Sequence, residues 1–134
     1  MGITPSLIDK LKPNEIFVFG SNLSGRHGRG AAKTAMSFGA KYGQGMGIQG
    51  QCYAIPTKDA QIRKSLPAWE IEKYVDDFTA YVISHPELHF LVTRIGCGLA
   101  GYTDEEMYML FQHLYGKDNV SLPKEWVRLI EEGD

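Results

Sequence analysis

Two glycine-rich stretches, each set directly behind a hydrophobic run, constrain this chain more than any other feature. The first runs from Phe17-Val18-Phe19-Gly20 through Ser21-Asn22-Leu23-Ser24-Gly25-Arg26-His27-Gly28-Arg29-Gly30 to Ala31-Ala32. The second runs from Phe90-Leu91-Val92-Thr93-Arg94-Ile95 through Gly96-Cys97-Gly98-Leu99-Ala100-Gly101 to Tyr102. Each reads as a buried strand, a glycine loop and a helix start. Glycine lets backbone approach a ligand closely and reach positive φ. Backbone N–H groups at a helix start attract anions. Two such loops in one small chain point to a diphosphate gripped from both sides.

The 134 residues suit a single domain, 1–134, with one core. A net charge of -2 gives no bulk electrostatic case for direct nucleic-acid binding or for an anionic membrane. No apolar stretch is long enough to span a bilayer. The amino terminus lacks a basic region followed by an apolar core. Cys52 and Cys97 sit far apart without a disulfide framework. A reduced, cytoplasmic protein is therefore expected, with no membrane partner. No sequence pattern sets an oligomeric state.

Met1 to Asn14 reads as a short leader with Pro5 and Pro13, in which Ser6 to Leu11 is one helical turn or two. Glu15 to Gly20 is a strand of β-formers. Gly28 to Phe38 is a helix whose alanines let it lie close to a sheet. Gly39 to Gly50 is a loop, and Gln51 to Pro56 is a strand ended by its proline. Ala68 to Ser84 is the clearest helix, with Ile71, Tyr74, Val75, Phe78 and Val82 on one face. His85-Pro86 stops it. His89 to Ile95 is a strand. Asp104 to Leu114 is a helix capped by Thr103 or Asp104 and stopped by Gly116. Val120 to Leu122 is a short strand, and Pro123 opens a final helix at its first position. Strands alternating with helices predict an α/β fold with a mostly parallel sheet. Ligands of such folds sit at the carboxyl ends of strands, where both glycine loops and Pro56-Thr57-Lys58-Asp59 fall.

The first loop has no Walker lysine and not the G-x-G-x-x-G spacing. Asn22 offers a donor and an acceptor suited to a ribose hydroxyl. Arg26, His27 and Arg29 add positive potential, although solvated basic residues on a plain strand-to-helix turn read the same way. Lys58 suits either a phosphate contact or catalysis, against the plainer reading of a surface lysine beside Asp59. Asp59, Asp76, Asp77, Asp104, Glu105 and Glu106 are the carboxylate candidates, and the adjacent ones read as solvated helix faces or helix starts rather than an acid/base dyad. Cys97 lies between glycines with no base nearby, which argues against a nucleophile. His85 and His89 are separated by Pro86 and make no metal site, so no metal and no cofactor is expected. Tyr102 ends the second loop, where it would pack against a ribose or base.

Three of these segments together resemble the macrodomain superfamily, which binds ADP-ribose. The likeness is to the DNA ADP-ribose glycohydrolase antitoxins and to the terminal ADP-ribose glycohydrolases acting on proteins. Ser21 to Ala32 resembles the first ligand loop, Ile55-Pro56-Thr57-Lys58 the strand end that carries a catalytic lysine, and Arg94 to Leu99 the second diphosphate loop. The resemblance implies a three-layer α/β/α fold. It implies ligand contacts from Ser21, Asn22, Gly25, Gly28, Gly30, Ala31 and Thr57. It implies further contacts from Gly96, Cys97, Gly98, Leu99, Ala100, Gly101 and Tyr102, with Lys58 as the catalytic candidate. The partner would be ADP-ribose, or protein or DNA carrying it. Two positions differ. No aspartate at the end of an opening strand matches the one that reads adenine, and Ala100 stands where one branch has an aspartate. Hydrolysis of an ADP-ribose linkage, recognition without turnover, and a nucleic-acid or assembly role that keeps only the fold are the three functions these residues leave open.

Overall fold

The computed structural model describes residues 2–133. It is an α/β protein with a six-stranded, mostly parallel sheet and four helices. The strands are β1 (Gly2–Thr4), β2 (Glu15–Asn22), β3 (Gly47–Gln49), β4 (Cys52–Lys58), β5 (His89–Val92) and β6 (Val120–Pro123). The helices are α1 (Gly30–Met36), α2 (Ala68–Ser84), α3 (Asp104–Phe111) and α4 (Lys124–Glu132). The strand order is β1-β6-β5-β2-β4-β3, and only β3 runs antiparallel to its neighbour.

Side-chain alternation along β2 and β4 divides the core into two. Ile16, Val18, Tyr53 and Ile55 pack with the apolar stripe of α2, with Met107 and Phe111 of α3, and with Trp126 and Val127 of α4. Phe17, Phe19, Cys52 and Ala54 pack on the other face with Ala32 and Ala35 of α1. The small alanines of α1 bring that helix close to the two phenylalanines.

The expected elements recur with physical differences at their edges. Helix α2 has the expected bounds, and Ile71, Val75, Phe78 and Val82 are buried. Ser6 to Leu11 is not helical. Between Pro5 and Pro13 this segment instead covers the sheet, with Ile8 and Leu11 against the Phe17 cluster and Leu7 83% exposed. Before it lies β1, a strand of three residues paired to β6. The glycine-dense segment after α1 contains β3, paired with β4. Pro56 does not end β4, because it lies beyond the last β3 pair at Ala54 and its missing N–H breaks no pair there. Strand β5 stops at Val92, short of Ile95. A short 3-10 turn, Gln112–Leu114, follows α3 and ends before Gly116 at φ 87°. Pro123 is the N-cap of α4, one place earlier than expected.

Strands β5, β2 and β4 lie side by side, so their carboxyl ends share one edge. The chain leaves β2 through α1 toward β4, and leaves β5 through α3 toward β6. These connections run in opposite directions, on opposite faces of the sheet. The point between β5 and β2 is thus a topological switch, where α/β sheets open a crevice.

Candidate functional site

A cleft of about 790 Å³ opens at that switch point. Its walls are the two glycine loops and the end of β4. They include Ser21, Asn22, Gly28, Gly30, Ala31, Thr57, Lys58, Gly96, Gly98, Leu99 and Ala100. Eleven of the expected site residues thus come together. Gly25, Cys97, Gly101 and Tyr102 are not on the cleft wall.

The polar side chains expected to meet the ligand mostly hold the scaffold. The Ser21 hydroxyl donates to the Gly45 carbonyl. Thr57 Oγ1 donates to the Ser21 carbonyl at 3.2 Å, tying β4 to β2. Asn22 Oδ1 accepts from the Arg26 N–H and the Ser24 hydroxyl, both at 2.9 Å, and Asn22 Nδ2 donates to the Arg26 carbonyl at 3.0 Å. The carboxamide thereby folds the first loop back on itself, as a buried side chain that mimics a turn. His27 is buried behind this loop, away from the cleft. Its Nε2 faces the carbonyl of Gln44 at 3.0 Å and Oε1 of Gln49 at 3.1 Å, so it is the protonated nitrogen.

The glycines divide by what a side chain would meet. A Cβ at Gly25 would strike the backbone of Gly43 and Gln44, and φ there is +72°. A Cβ at Gly96 would lie 2.9 Å from Met107 Cε, with φ +82°. These two are required by packing and conformation. A Cβ at Gly28 or Gly98 would meet nothing within 4 Å. The fold does not demand glycine there, and both line the cleft.

In the second loop the amides of Cys97, Gly101 and Tyr102 bond to carbonyls of the same segment. Among the described residues, the amides of Gly98, Leu99 and Ala100 between them have no protein acceptor. A run of unbonded backbone N–H groups is an anion-binding concavity. Contacts on one side latch this loop to the segment after β4. Ser65 Oγ donates to the Ala100 carbonyl, and Tyr102 Oη donates to the Leu66 carbonyl at 2.5 Å. Lys58 Nζ lies 3.5 Å from the Leu99 carbonyl oxygen. Tyr102 is thus a strut rather than a ligand-facing ring.

Charge in the cleft comes from Arg26, Arg29, Lys58 and Arg94, and among the described residues no aspartate or glutamate is on its wall. Helix α1 has only seven residues, so side chains rather than a long helix dipole supply the field. Arg94 was not among the expected ligand contacts. Its Nε and Nη2 donate to Asp104 at 3.0 and 2.6 Å. Asp104 also accepts from Trp126 Nε1 at 2.8 Å and lies 3.4 Å from Cys97 Sγ. The Arg94 bonds hold the Asp104 carboxyl below its ordinary range, with Trp126 adding to the effect. Burial, with Asp104 beside it, pushes the Cys97 thiol up to about 12, which suits a packed thiol and not a nucleophile. Asp59 accepts from the Arg63 amide at 2.9 Å, and it too is off the cleft wall. Neither Asp59 nor Asp104 lines the cleft.

A second pocket of about 340 Å³ adjoins the cleft, sharing Ala31, Thr93 and Arg94 with it. Phe17, Val92 and Pro123 give it apolar walls. Thr4, only 6% exposed, lines it with a hydroxyl that has no hydrogen-bond partner. Among the described residues no cluster of His, Cys, Asp or Glu could hold a metal ion. No helix among them is long and apolar enough to cross a membrane. Comparison of the chain with family models, with curated proteins and with solved structures found no match.

Proposed function

We propose that this protein binds ADP-ribose, free or attached to a protein or to DNA, in a three-layer fold of the macrodomain type. The observation that carries the reading is the cleft at the switch point: among the described residues its wall has four cations, no carboxylate and three free backbone amides. Such a wall suits a diphosphate. The adenosine end would lie in the adjoining pocket, where apolar walls suit a flat ring and the unpartnered Thr4 hydroxyl awaits a polar edge. The distal ribose would lie toward Lys58.

Recognition without turnover is the reading favoured for the chemistry. Glycoside cleavage is helped by an acid or base beside the anomeric carbon, and no carboxylate lines this cleft. Lys58 is the one amine on its wall among the described residues, and the hydroxyls of Ser21, Thr57 and Thr93 each donate to a backbone carbonyl. A crystal of the protein soaked with ADP-ribose tests the binding mode. Diphosphate density between Gly28 and Gly98 is expected, and a ligand seated elsewhere would overturn the site. Incubation with ADP-ribosylated protein and ADP-ribosylated DNA in parallel tests turnover, for which no release is expected. Release that disappears in Lys58→Ala, and in Lys58→Arg because guanidinium stays protonated, would make the protein a hydrolase.

A further inference from the structure

We propose that Arg94, fixed by Asp104, is the specificity-determining residue that makes the site select a two-part ligand spanning both pockets over a ligand confined to one. The inference rests on the ADP-ribose reading and adds a residue and a selectivity to it. Three residues form the wall common to the two cavities. Ala31 has no polar side chain, and the Thr93 hydroxyl is spent on the Val18 carbonyl at 2.7 Å. Arg94 is left as the one side chain at the junction with donors to offer. Two of its N–H groups are committed to Asp104, and the others are free. Its side chain is 50% exposed, so a ligand can reach it.

What distinguishes Arg94 from the other cleft cations is that it cannot swing. A bidentate guanidinium–carboxylate pair fixes the plane of the fork. Asp104 is itself held by the indole of the fully buried Trp126, and it opens α3 directly after the Thr103 capping box. Arg26 and Arg29, by contrast, are exposed and make no ion pair among the described residues. They supply charge that salt screens. The Arg94–Asp104 pair is neutral overall, so its contribution is a set of aimed donors. A ligand in one pocket alone need not touch them. A ligand that crosses the junction must put an acceptor over them, and the diphosphate joining two halves of a dinucleotide-like molecule provides one.

The test is a set of binding titrations of the wild type, Arg94→Gln, Arg94→Lys and Asp104→Asn with ADP-ribose and with adenosine. They are followed by the nuclear magnetic resonance shifts of the two tryptophan indole N–H groups. Arg94→Gln should lower the ratio of ADP-ribose to adenosine affinity by about 10- to 100-fold, the range for losing hydrogen bonds from a charged donor. Arg94→Lys should not rescue it, because an ammonium cannot make the fork. Asp104→Asn keeps an acceptor for Trp126 and should lower the ratio about tenfold. ADP-ribose should move the Trp126 indole resonance in the wild type and leave the exposed Trp69 resonance in place. An unchanged ratio in Arg94→Gln, or equal losses for both ligands, would overturn the proposal while leaving ADP-ribose binding intact. A wild type that binds no ADP-ribose would overturn both.

Discussion

Each glycine of the two loops answers a different demand, and substitution separates them. Gly28→Val and Gly98→Val should keep the wild-type thermal midpoint, since a Cβ meets no atom at either place. Both should lose at least about tenfold in affinity for a ligand seated between the loops. Gly25→Ala and Gly96→Ala should do the reverse and lower the midpoint, because both positions combine positive φ with a close neighbour. Asn22→Ala should cost about 1–3 kcal/mol of stability, measured by urea unfolding, because it removes the three hydrogen bonds by which the buried carboxamide folds the first loop. Asp104 carries a pH signature. Its carboxyl is depressed in the folded state, so its contribution is full above the unfolded value and is lost as pH falls through the lower folded one. Wild-type stability should therefore fall more steeply on acidification below about pH 4 than that of Asp104→Asn. Equal slopes would show that the Arg94 pair adds nothing.

At the scale of elements, legibility followed the length and regularity of the pattern. Helix α2 was readable to its bounds because five turns of one apolar face leave no alternative register. Strand β1 and strand β3 were not, because three residues carry no periodicity. Ser6 to Leu11 reads as a helical turn or two, yet the partial burial of Ile8 and Leu11 against the sheet decides its path. The second loop was legible as a glycine loop, whereas the struts that hold it were not. Arg94 and Asp104 are ten residues apart, and Trp126 lies further still, so no local signal links them. Tyr102 shows the same limit: its place in the loop suggested a ligand contact, and its hydroxyl instead reaches Leu66. Tyr102→Phe should therefore lower stability by about 0.5–1.5 kcal/mol in urea unfolding, the usual worth of one hydrogen bond. A ligand-stacking ring would leave stability unchanged, since phenylalanine stacks as well as tyrosine.

For the whole molecule, strand order does what no single motif does. It sets the ends of β5, β2 and β4 side by side and sends the flanking connections apart, so that loops far apart in sequence become facing walls. Charge is distributed to match. The chain is net -2, yet among the described residues the cleft wall has four cations and no carboxylate. Composition alone hid that asymmetry, because overall charge averages over every face. Binding of a diphosphate ligand should weaken as salt rises, most steeply where Arg26 and Arg29 face solvent. Isothermal titration of the wild type, Gly28→Val and Gly98→Val with ADP-ribose tests the central claim most directly. One molecule should bind per chain of the wild type, and at least about tenfold more weakly to both variants at unchanged thermal midpoint. A wild type that takes up no ADP-ribose, or variants that bind it as tightly as the wild type, would contradict the assignment of this cleft.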